Sequence, residues 1–288
     1  MDTNIDQWTL IVASNDETVL NGTLLASPII DSRCQLIVKT GFPSASKAYN
    51  AGLLEARNEV IVFAHQDVYL PSSWMSDLAR SLSVLQARDP YWGVLGVFGI
   101  ARDAGRAAKG FCYSTGLNRV LGQPFSGPDP ASSLDELLLV IRRSSGLSFD
   151  SQLPGFHLYG TDLCLESESR NMSNYVIPAF CIHNSNGLKY YPLSYWEAYV
   201  CLQRKWWSRL PVKTCCATLT KSGVPMLAQI ATDIRKRLFS RPKVGVRSNN
   251  VGLLYEKLCL TESCLKQEAG FSSHARHLHS ERQTVESV

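Results

Sequence analysis

The chain has 288 residues, of which 45% are hydrophobic and 19% are charged. This length and balance are typical of a globular protein with one large domain or a domain plus an appendage, and they exclude an intrinsically disordered chain. No run of about 18 apolar residues occurs, so no transmembrane helix is predicted. The first residues, MDTNIDQW, lack the basic region of a signal peptide.

The net charge of +4 is unevenly distributed along the chain. Residues 1–203 hold 14 Lys and Arg against 19 Asp and Glu, residues 204–247 hold 11 against a single acid, and residues 248–288 hold four against five. A basic segment after a mildly acidic body predicts an anionic partner, most simply a lipid surface. The nine cysteines form no Cys-x-x-Cys pair, which favours reduced thiols in the cytoplasm over a disulfide framework or a zinc site.

Three short apolar runs open the chain: WTLIVAS at 8–14, CQLIVKT at 34–40 and EVIVFA at 59–64. Runs without polar alternation are typical of strands that are covered on both faces of a parallel sheet. Two helical patterns separate these runs, DETVLNGTLLAS and SASKAYNAGLLEAR. The opening is therefore predicted to be β-α-β-α-β with right-handed crossovers, in a doubly wound α/β sheet flanked by helices.

Later segments continue the alternation. PSSWMSDLARSLSVLQARD predicts a helix, WGVLGVFGIA, DELLLVIRR and NYVIPAFCIH predict strands, and FHLYGTDLCL predicts a turn that enters a helix. Residues 103–130 are predicted to form loops and short strands. From YWEAYVCLQRKWW to residue 260 the pattern is helical, aromatic and basic at its start, and 270–288 is predicted to be a loose polar tail.

Polar side chains follow two of the predicted strands at their carboxyl ends, where ligands bind in sheets of this type. Ser14 and Asn15 end the first strand, and His65, Gln66 and Asp67 end the third. A carboxylate beside an amide suits a divalent cation that also binds phosphates. The alternative for Asp67 is an ordinary strand-end acid in solvent.

Four further residues are candidates for the same site. His183 ends the strand VIPAFCIH and is either a nitrogen ligand of the same metal or a strand-end histidine with ordinary partners. Asp162 begins a helix, where it is either a general base or a favourable charge at the helix N-terminus. Lys47 and Asn50, on the second predicted helix, either contact a nucleotide or face solvent.

The order of these parts resembles the GT-A glycosyltransferases of the family-2 type, most closely a bacterial subgroup with His-Gln-Asp at the metal triplet. The resemblance covers residues 8–210. It implies a GT-A fold, which is a Rossmann-like, mostly parallel sheet, as a catalytic domain over 1–207. A basic and aromatic helical extension over 208–269 and a flexible tail over 270–288 complete the predicted organisation. The resemblance is carried by Ser14-Asn15-Asp16, by the helix with Ser46, Lys47 and Asn50, by His65-Gln66-Asp67, by FDSQLPGFHLYGTDLCL and by IHNSNG.

The resemblance also implies roles for individual residues. Asp67 would anchor the metal and the donor diphosphate, His183 would complete the metal site, and Asp162 would be the catalytic base. Asp150 matches a structural acid of the acceptor loop. The implied cofactor is a divalent cation, Mn²⁺ or Mg²⁺. The residues implied to bind the nucleotide-sugar donor are Ser14, Asn15, Lys47, Asn50, Gln66 and Asp67.

The implied reaction transfers a sugar from a nucleotide-diphosphate sugar to a hydroxyl of a glycan or a lipid-linked acceptor, in the synthesis of a cell-surface polysaccharide. One base and no protein nucleophile predict inversion at the anomeric carbon. Two departures stand out, since His65 and Thr161 occupy positions where the family has acids. They leave open a degenerate domain that binds nucleotide or glycan without turnover. A nucleotidyltransferase is a further alternative, although SNDETVLNG is not the glycine-rich loop it would need.

The segment RKWWSRLPVK places two tryptophans among four basic residues. Tryptophan favours the membrane interface and basic side chains favour anionic headgroups. The sequence predicts either a peripheral contact of residues 204–247 with the inner face of the cell membrane, or a helix packed on the catalytic domain. No nucleic-acid partner is predicted, because no fold that binds nucleic acid is present. In MLAQIATDIRKRLF, one helical face is predicted to hold Met226, Leu227, Ile230, Ile234 and Leu238.

Overall fold

The computed structural model describes residues 5–103, 105, 107–187, 190–239 and 245–259. Within them the helices are α1 (Glu17–Gly22), α2 (Ala45–Leu53), α3 (Trp74–Arg88), α4 (Tyr159–Ser169), α5 (Leu193–Lys205), α6 (Val224–Phe239) and α7 (251–259). Short 3₁₀ helices cover Arg143–Ser145 and Trp207–Arg209. The strands are β1 (Trp8–Ser14), β2 (Cys34–Thr40), β3 (Val60–His65), β4 (Val68–Tyr69), β5 (Val94–Gly96), β6 (Phe98–Ala101), β7 (Ala108–Ser114), β8 (Arg119–Gly122), β9 (Asp129–Leu134), β10 (Leu138–Arg142), β11 (Asn174–Val176), β12 (Cys181–His183), β13 (Val212–Lys213) and β14 (Thr218–Leu219).

The β-α-β-α-β opening is confirmed. β1 lies between β2 and β3 and pairs in parallel with both, so that Ser14 lies opposite Thr40 and Ala13 opposite His65. Because parallel strands end at the same edge of a sheet, the carboxyl ends of these three strands form one continuous rim. The polar residues that follow β1 and β3 therefore lie close together.

The remaining strands extend the sheet in the order β2-β1-β3-β10-β5-β11-β9-β6-β7-β12-β4, with β8 on β7. The sheet is mixed, because β5 with β11 and β7 with β12 are parallel, whereas β10, β9, β6, β8 and β4 pair in the antiparallel direction. β12 lies beside β4, and this pairing places His183 opposite Val68. The predicted α/β class is confirmed, and the architecture is consistent with a GT-A-like fold.

Helices cover both faces of the sheet. Successive residues of a strand point to opposite faces, and β3 shows the consequence. Phe63 packs with Tyr49 of α2 and Tyr159 of α4 on one face, whereas Val62 belongs to a cluster with Trp74 of α3 on the other. β1 and β3 are therefore buried on both sides, which fits their continuous apolar sequences. The prediction that CQLIVKT is covered on both faces is wrong, because β2 is the edge strand and leaves Leu36 and Val38 exposed.

The segment after α5 differs from the predicted continuous helical pattern. β13 and β14 pair as a two-stranded antiparallel sheet, and Leu210, Val212 and Leu219 are buried in the same core cluster as α2, α4 and α5. Pro211 lacks the backbone N–H that a helix interior requires, so this segment packs in extended form. α6 then forms over the residues where a helix is predicted. Residues 260–269 of the predicted extension and the predicted tail at 270–288 lie outside the described residues.

Candidate functional site

At the rim of β1 and β3, the side chain of Gln66 joins two strand ends. Its Oε1 accepts hydrogen bonds from Ser14 Oγ at 2.7 Å and from the backbone N–H groups of Asn15 and Asp16 at 3.1 Å each. Its Nε2 donates to Asn15 Oδ1 at 2.7 Å. Asp16 in turn caps α1 by accepting from the Val19 N–H at 3.0 Å. Three predicted site residues, Ser14, Asn15 and Gln66, are thus brought together, and Gln66 fixes the loop that begins α1.

We expect Gln66→Ala to loosen this loop, because one hydroxyl and two backbone N–H groups lose their common acceptor. These groups are partly exposed, so the expected loss in the free energy of unfolding is about 1 kcal/mol. Urea unfolding measures this loss, with Gln86→Ala as the control, because that variant removes an exposed amide from α3. Equal free energies of unfolding for the two variants would contradict a stabilising role of Gln66 in this loop.

Asp67 is buried, with 8% of its surface exposed, and it meets His183. The pairing of β4 with β12 brings His183 Nε2 to 3.4 Å from Asp67 Oδ1. Burial alone would raise the pKa of Asp67, but the hydrogen bond from His183 and the positive charges around it hold that pKa well below its usual range. Asp67 is therefore a partnered carboxylate in a cleft and not a strand-end acid in solvent.

His65 lies beside this pair and contacts Tyr159. Tyr159 Oη donates its proton to the Glu136 carbonyl oxygen at 3.0 Å and lies 2.8 Å from His65 Nε2. This contact engages one ring nitrogen of His65 with the buried hydroxyl of Tyr159. Burial lowers the pKa of His65, which favours the neutral form that binds metals.

The side chains of His65, Asp67 and His183 form a group that fits a divalent cation. One ligand atom from each lies within 4.8 Å of the others. Two imidazole nitrogens and one carboxylate oxygen suit Mn²⁺ better than Mg²⁺, which prefers oxygen ligands. The pair predicted from the sequence, Asp67 and His183, is thus joined in space by His65.

A cavity of about 380 Å³ opens beside this group. Such a volume is in the range of sites for small molecules, which combine apolar walls with a few polar groups. Phe42 and Phe156 contribute aromatic surface, and Phe156 is 44% exposed. The lining comprises Ala13, Ser14, Asn15, Lys39, Gly41, Phe42, Tyr49, His65, Gln66, Asp67, Phe156, His157 and Tyr159.

Two predicted donor-binding residues, Lys47 and Asn50, do not line this cavity. Lys47 is exposed on α2, and its backbone N–H lies 3.4 Å from the capping hydroxyl of Ser44. Asn50 is engaged with the backbone of Phe149, since its Nδ2 donates to the carbonyl oxygen at 2.7 Å and its Oδ1 accepts from the N–H at 2.9 Å. Asn50 therefore ties α2 to the chain that precedes α4, and donor binding by these two residues stays a prediction.

Asp162 is buried in the first turn of α4, and both of its carboxylate oxygens have partners. Trp206 Nε1 donates to Oδ1 at 2.7 Å, and Lys205 Nζ lies 2.9 Å from Oδ1 and 3.0 Å from Oδ2. Lys205 also binds Asp150 Oδ2 at 2.8 Å, so the end of α5 is tied to both acids. Burial raises the pKa of Asp162, and the hydrogen bond and charge of Lys205 oppose that rise.

A smaller cavity of about 30 Å³ adjoins the first, and His157 lines both. Thr161, which precedes Asp162, also lines the smaller cavity, together with Asp135 and Glu136 from the turn between β9 and β10. Burial, next to the charge of Asp135, raises the pKa of Glu136 to about 8. This acidic pair is not among the predicted site residues, although LDELLLV indicates it by placing two acids directly before a buried strand.

Two other features of the site have no local signal in the sequence. Lys205 and Trp206 contact Asp162 across 43 and 44 residues of chain. Arg247 reaches Asp67 across 180 residues, with its Nη2 at 3.4 Å from Asp67 Oδ2. Such pairs depend on how distant elements pack, which residue spacing does not encode.

No protein-family model matches the chain. A curated protein of Fuscovulum blasticum, named ATP synthase subunits region ORF 6, is 31% identical over 137 residues, which are 46% of this chain and 53% of that protein. The chain thus spans about half the length of this curated relative, whose name states no activity.

Three solved structures are similar to the chain at low sequence identity. The mannosyltransferase PcManGT of Pyrobaculum calidifontis, solved in complex with GDP-Man and Mn²⁺, has a TM-score of 0.40 at 12% identity over 62% of this chain and 57% of that one. Residues 1–349 of S. aureus TarS give a TM-score of 0.42 at 14% identity over 69% and 65% of the two chains. A further TarS structure gives 0.44 at 12% identity over 69% and 39%. At these identities and TM-scores the likenesses do not define a family.

Proposed function

We propose that the chain is a GT-A glycosyltransferase of the family-2 type, which moves a sugar from a nucleotide-diphosphate sugar to a hydroxyl of a glycan or lipid-linked acceptor in polysaccharide synthesis. The observation that carries the proposal is the group of His65, Asp67 and His183 on the rim of the sheet, beside a cavity that includes Ser14 and Asn15. A nucleotide diphosphate needs positive charge at its phosphates and a partly apolar pocket for its base and ribose. The rim offers ligands for a divalent cation, which would supply that charge, and the cavity beside it has aromatic walls.

Donor binding would use the residues that line the larger cavity. Gln66 holds Asn15 just before the N-terminus of α1, and the polar atoms of Asn15 can contact the base or ribose there. The aromatic faces of Phe42 and Phe156 can cover the base. A divalent cation at Asp67 would supply the positive charge that stabilises the departing diphosphate.

The proposed base is Asp162. A base must lie within hydrogen-bond reach of the acceptor hydroxyl, so Lys205 or Trp206 must release one oxygen of the carboxylate when the acceptor binds. The desolvation that raises the pKa of Asp162 makes the carboxylate a stronger proton acceptor. One carboxylate base without a protein nucleophile corresponds to inversion at the anomeric carbon.

The test is a thermal-shift screen of UDP, GDP, dTDP and CMP with their sugar conjugates, each with and without Mn²⁺ or Mg²⁺. A ligand at about a hundred times its Kd adds about 2.7 kcal/mol to stability, so we expect one nucleotide to raise the melting temperature by roughly 5–10 °C with metal. Release of that nucleotide from its sugar conjugate would then measure turnover. If no nucleotide shifts the melting temperature with either metal, the proposal is wrong.

A second candidate is a degenerate GT-A domain that binds a nucleotide or glycan without turnover. The engagement of both oxygens of Asp162 by Lys205 and Trp206 favours it, because a fully partnered carboxylate is a poor proton acceptor. The same screen separates the two functions. Metal-dependent binding with no release of nucleotide, in the presence of any acceptor glycan tried, would favour the degenerate domain.

The exposed face of α6 supports a proposed contact with an anionic membrane. Met226 packs against the core, and Asp233 is buried with its Oδ2 at 3.5 Å from the Tyr191 N–H. The single face predicted from the sequence is therefore divided, with Met226 and the half-buried Ile230 turned toward the domain. The outward stripe is apolar and consists of Val224, Leu227, Ile234 and Leu238, which are 52–71% exposed.

Basic and aromatic groups accompany this stripe. Trp207 is 51% exposed, with Lys221 Nζ at 5.8 Å from its ring centroid, and Arg235 and Lys236 are exposed on α6. No helix within the described ranges has the length and hydropathy needed to cross a bilayer. We propose that this surface rests on the inner face of the cell membrane, which would place a cytoplasmic chain beside lipid-linked acceptors.

We expect the chain to sediment with vesicles that contain phosphatidylserine, and not with neutral vesicles. Replacing Leu227 and Ile234 together by glutamate removes apolar area and adds negative charge, so binding should weaken about tenfold or more. The control is Val84→Glu, which alters an equally apolar residue that is 40% exposed on α3. Failure of the unmodified chain to bind phosphatidylserine vesicles, or equal binding by all variants, would contradict the proposed contact.

A further inference from the structure

The segment 245–248 lies against the ends of the strands that carry the metal-binding group. The Gly245 N–H donates to the Gly116 carbonyl oxygen at 2.9 Å. A Cβ atom at Gly245 would lie 1.7 Å from the Thr115 carbonyl oxygen, so only glycine fits this approach. At the other end, the Ser248 N–H donates to Asn184 Oδ1 at 2.7 Å, and Asn184 Nδ2 donates to the Ser248 carbonyl oxygen at 3.0 Å. The fold therefore fixes the positions of the two residues between these anchors, Val246 and Arg247.

Helix α7 holds the same segment from its C-terminal side. Asn250 caps the helix by accepting from the Leu253 N–H at 2.9 Å. Val251 is buried against Tyr69 of β4 and Ile182 of β12, the two strands that adjoin Asp67 and His183. The segment is therefore built on the same pair of strands that positions Asp67 and His183.

The side chain carried by this segment is Arg247, and its link to Asp67 is loose. Its Nε donates to the Asn184 carbonyl oxygen at 3.0 Å, whereas its Nη2 lies 3.4 Å from Asp67 Oδ2. A close ion pair between arginine and a carboxylate is shorter, at about 2.7–2.9 Å. Of the five guanidinium N–H groups, these two contacts to described residues leave others for a ligand. The side chain is also 30% exposed.

We propose that Arg247 is a ligand of the diphosphate in the nucleotide-sugar donor. The proposal rests on the proposed function, because a diphosphate anchored at Asp67 lies within reach of this guanidinium. The planar fork of arginine matches two phosphate oxygens, and its charge is permanent. A departing diphosphate carries more negative charge than one divalent cation neutralises, so a second fixed positive group stabilises it further. Before the donor binds, the same charge faces the buried carboxylate of Asp67 and offsets the cost of burying it.

The test is calorimetric titration of the full chain and of Arg247→Ala with three kinds of probe. The probes are Mn²⁺ alone, inorganic pyrophosphate with Mn²⁺, and UDP, GDP, dTDP and CDP with Mn²⁺. We expect Arg247→Ala to bind the preferred diphosphate and pyrophosphate about ten- to a hundredfold more weakly, as loss of a charged hydrogen bond implies. Mn²⁺ alone should bind as tightly or more tightly, because a positive charge near Asp67 has been removed. Arg247→Lys should recover part of the loss, since it keeps the charge without the fork.

The outcomes separate the inference from the function on which it rests. If the unmodified chain binds no nucleotide diphosphate, the proposed function fails and the inference fails with it. If the unmodified chain binds one and both Arg247 variants bind it equally well, the inference alone is wrong. A parallel loss of Mn²⁺ binding and of melting temperature in both variants would make Arg247 a structural residue and also overturn the inference. Arg80→Ala, which removes an exposed arginine from α3, is the matched control and should leave all affinities unchanged.

Discussion

Replacement of Asp67 by asparagine is expected to abolish the Mn²⁺-dependent binding of a nucleotide diphosphate. Asp67 is the carboxylate of the His65–Asp67–His183 group, and asparagine keeps its size while removing its charge. The loss should exceed the roughly 10- to 100-fold effect of altering a residue that only supports a metal ligand. Calorimetric titration with Mn²⁺ and the preferred nucleotide measures it. Asp31→Asn, which alters an exposed acid paired with Arg33, is the control.

The same substitution has a predictable effect on stability in the absence of metal. The pKa of Asp67 lies below its ordinary value, so its ionised form stabilises the fold above about pH 3.9 and this contribution is lost as the pH falls further. Burial alone would lower the pKa of His183, but its contact with Asp67 raises it. That contribution is full below about pH 6.5 and is lost as the pH rises. In EDTA, Asp67→Asn should therefore cost most stability between these two pH values. Urea unfolding at pH 3, 5 and 8 checks this, and a pH-independent difference would contradict the ion pair.

The rim of the site is predictable from the sequence because its residues follow strands with an unambiguous pattern. WTLIVAS and EVIVFA are mostly apolar and lack polar alternation, so they are predicted to be buried parallel strands, and the positions of Ser14 and Asp67 follow from where those strands end. The proximity of His183 to Asp67 is harder to predict from the sequence. Its own strand is recognisable, but only the pairing of β12 with β4 brings it to Asp67, and pairing between distant strands is set by the whole sheet.

For the helices, the sequence does not determine which side packs against the core or which residues of other helices it contacts. The α6 sequence has apolar residues on two sides, so periodicity alone does not decide which side faces the core. In the structure, the side of α6 that packs on the domain includes the buried Asp233, which contacts Tyr191. Leu227 lies on the opposite, solvent-exposed side. In the same way, a helix-start position predicts a negative charge at Asp162 but not its partner Lys205, which arrives from the end of α5. These contacts depend on helix packing that only the three-dimensional structure contains.

Asp162→Asn is expected to lower the rate of sugar transfer by about 10²–10⁴-fold, the usual contribution of a general base. Asparagine can still accept from Trp206 Nε1, and Lys205 keeps Asp150 as an anionic partner. Donor binding and the melting temperature should therefore change little if Asp162 is the base. If Asp162 instead only anchors α5, the variant should lose stability and keep its rate per folded molecule. Comparing kcat, the donor KM and the melting temperature separates these roles.

Lys205→Met provides the matched variant, because it leaves the Asp162 carboxylate in place and removes its cationic partner. Lys205 lowers the pKa of Asp162 against the effect of burial, so its removal should raise that pKa further. A base must be ionised to act, and the acid limb of the pH–rate profile should therefore move to higher pH in Lys205→Met. An unmoved acid limb, together with full turnover by Asp162→Asn, would place the base elsewhere. His157 would then be the next side chain to test, since it lines both cavities and burial lowers its pKa to about 4, which keeps it unprotonated at neutral pH.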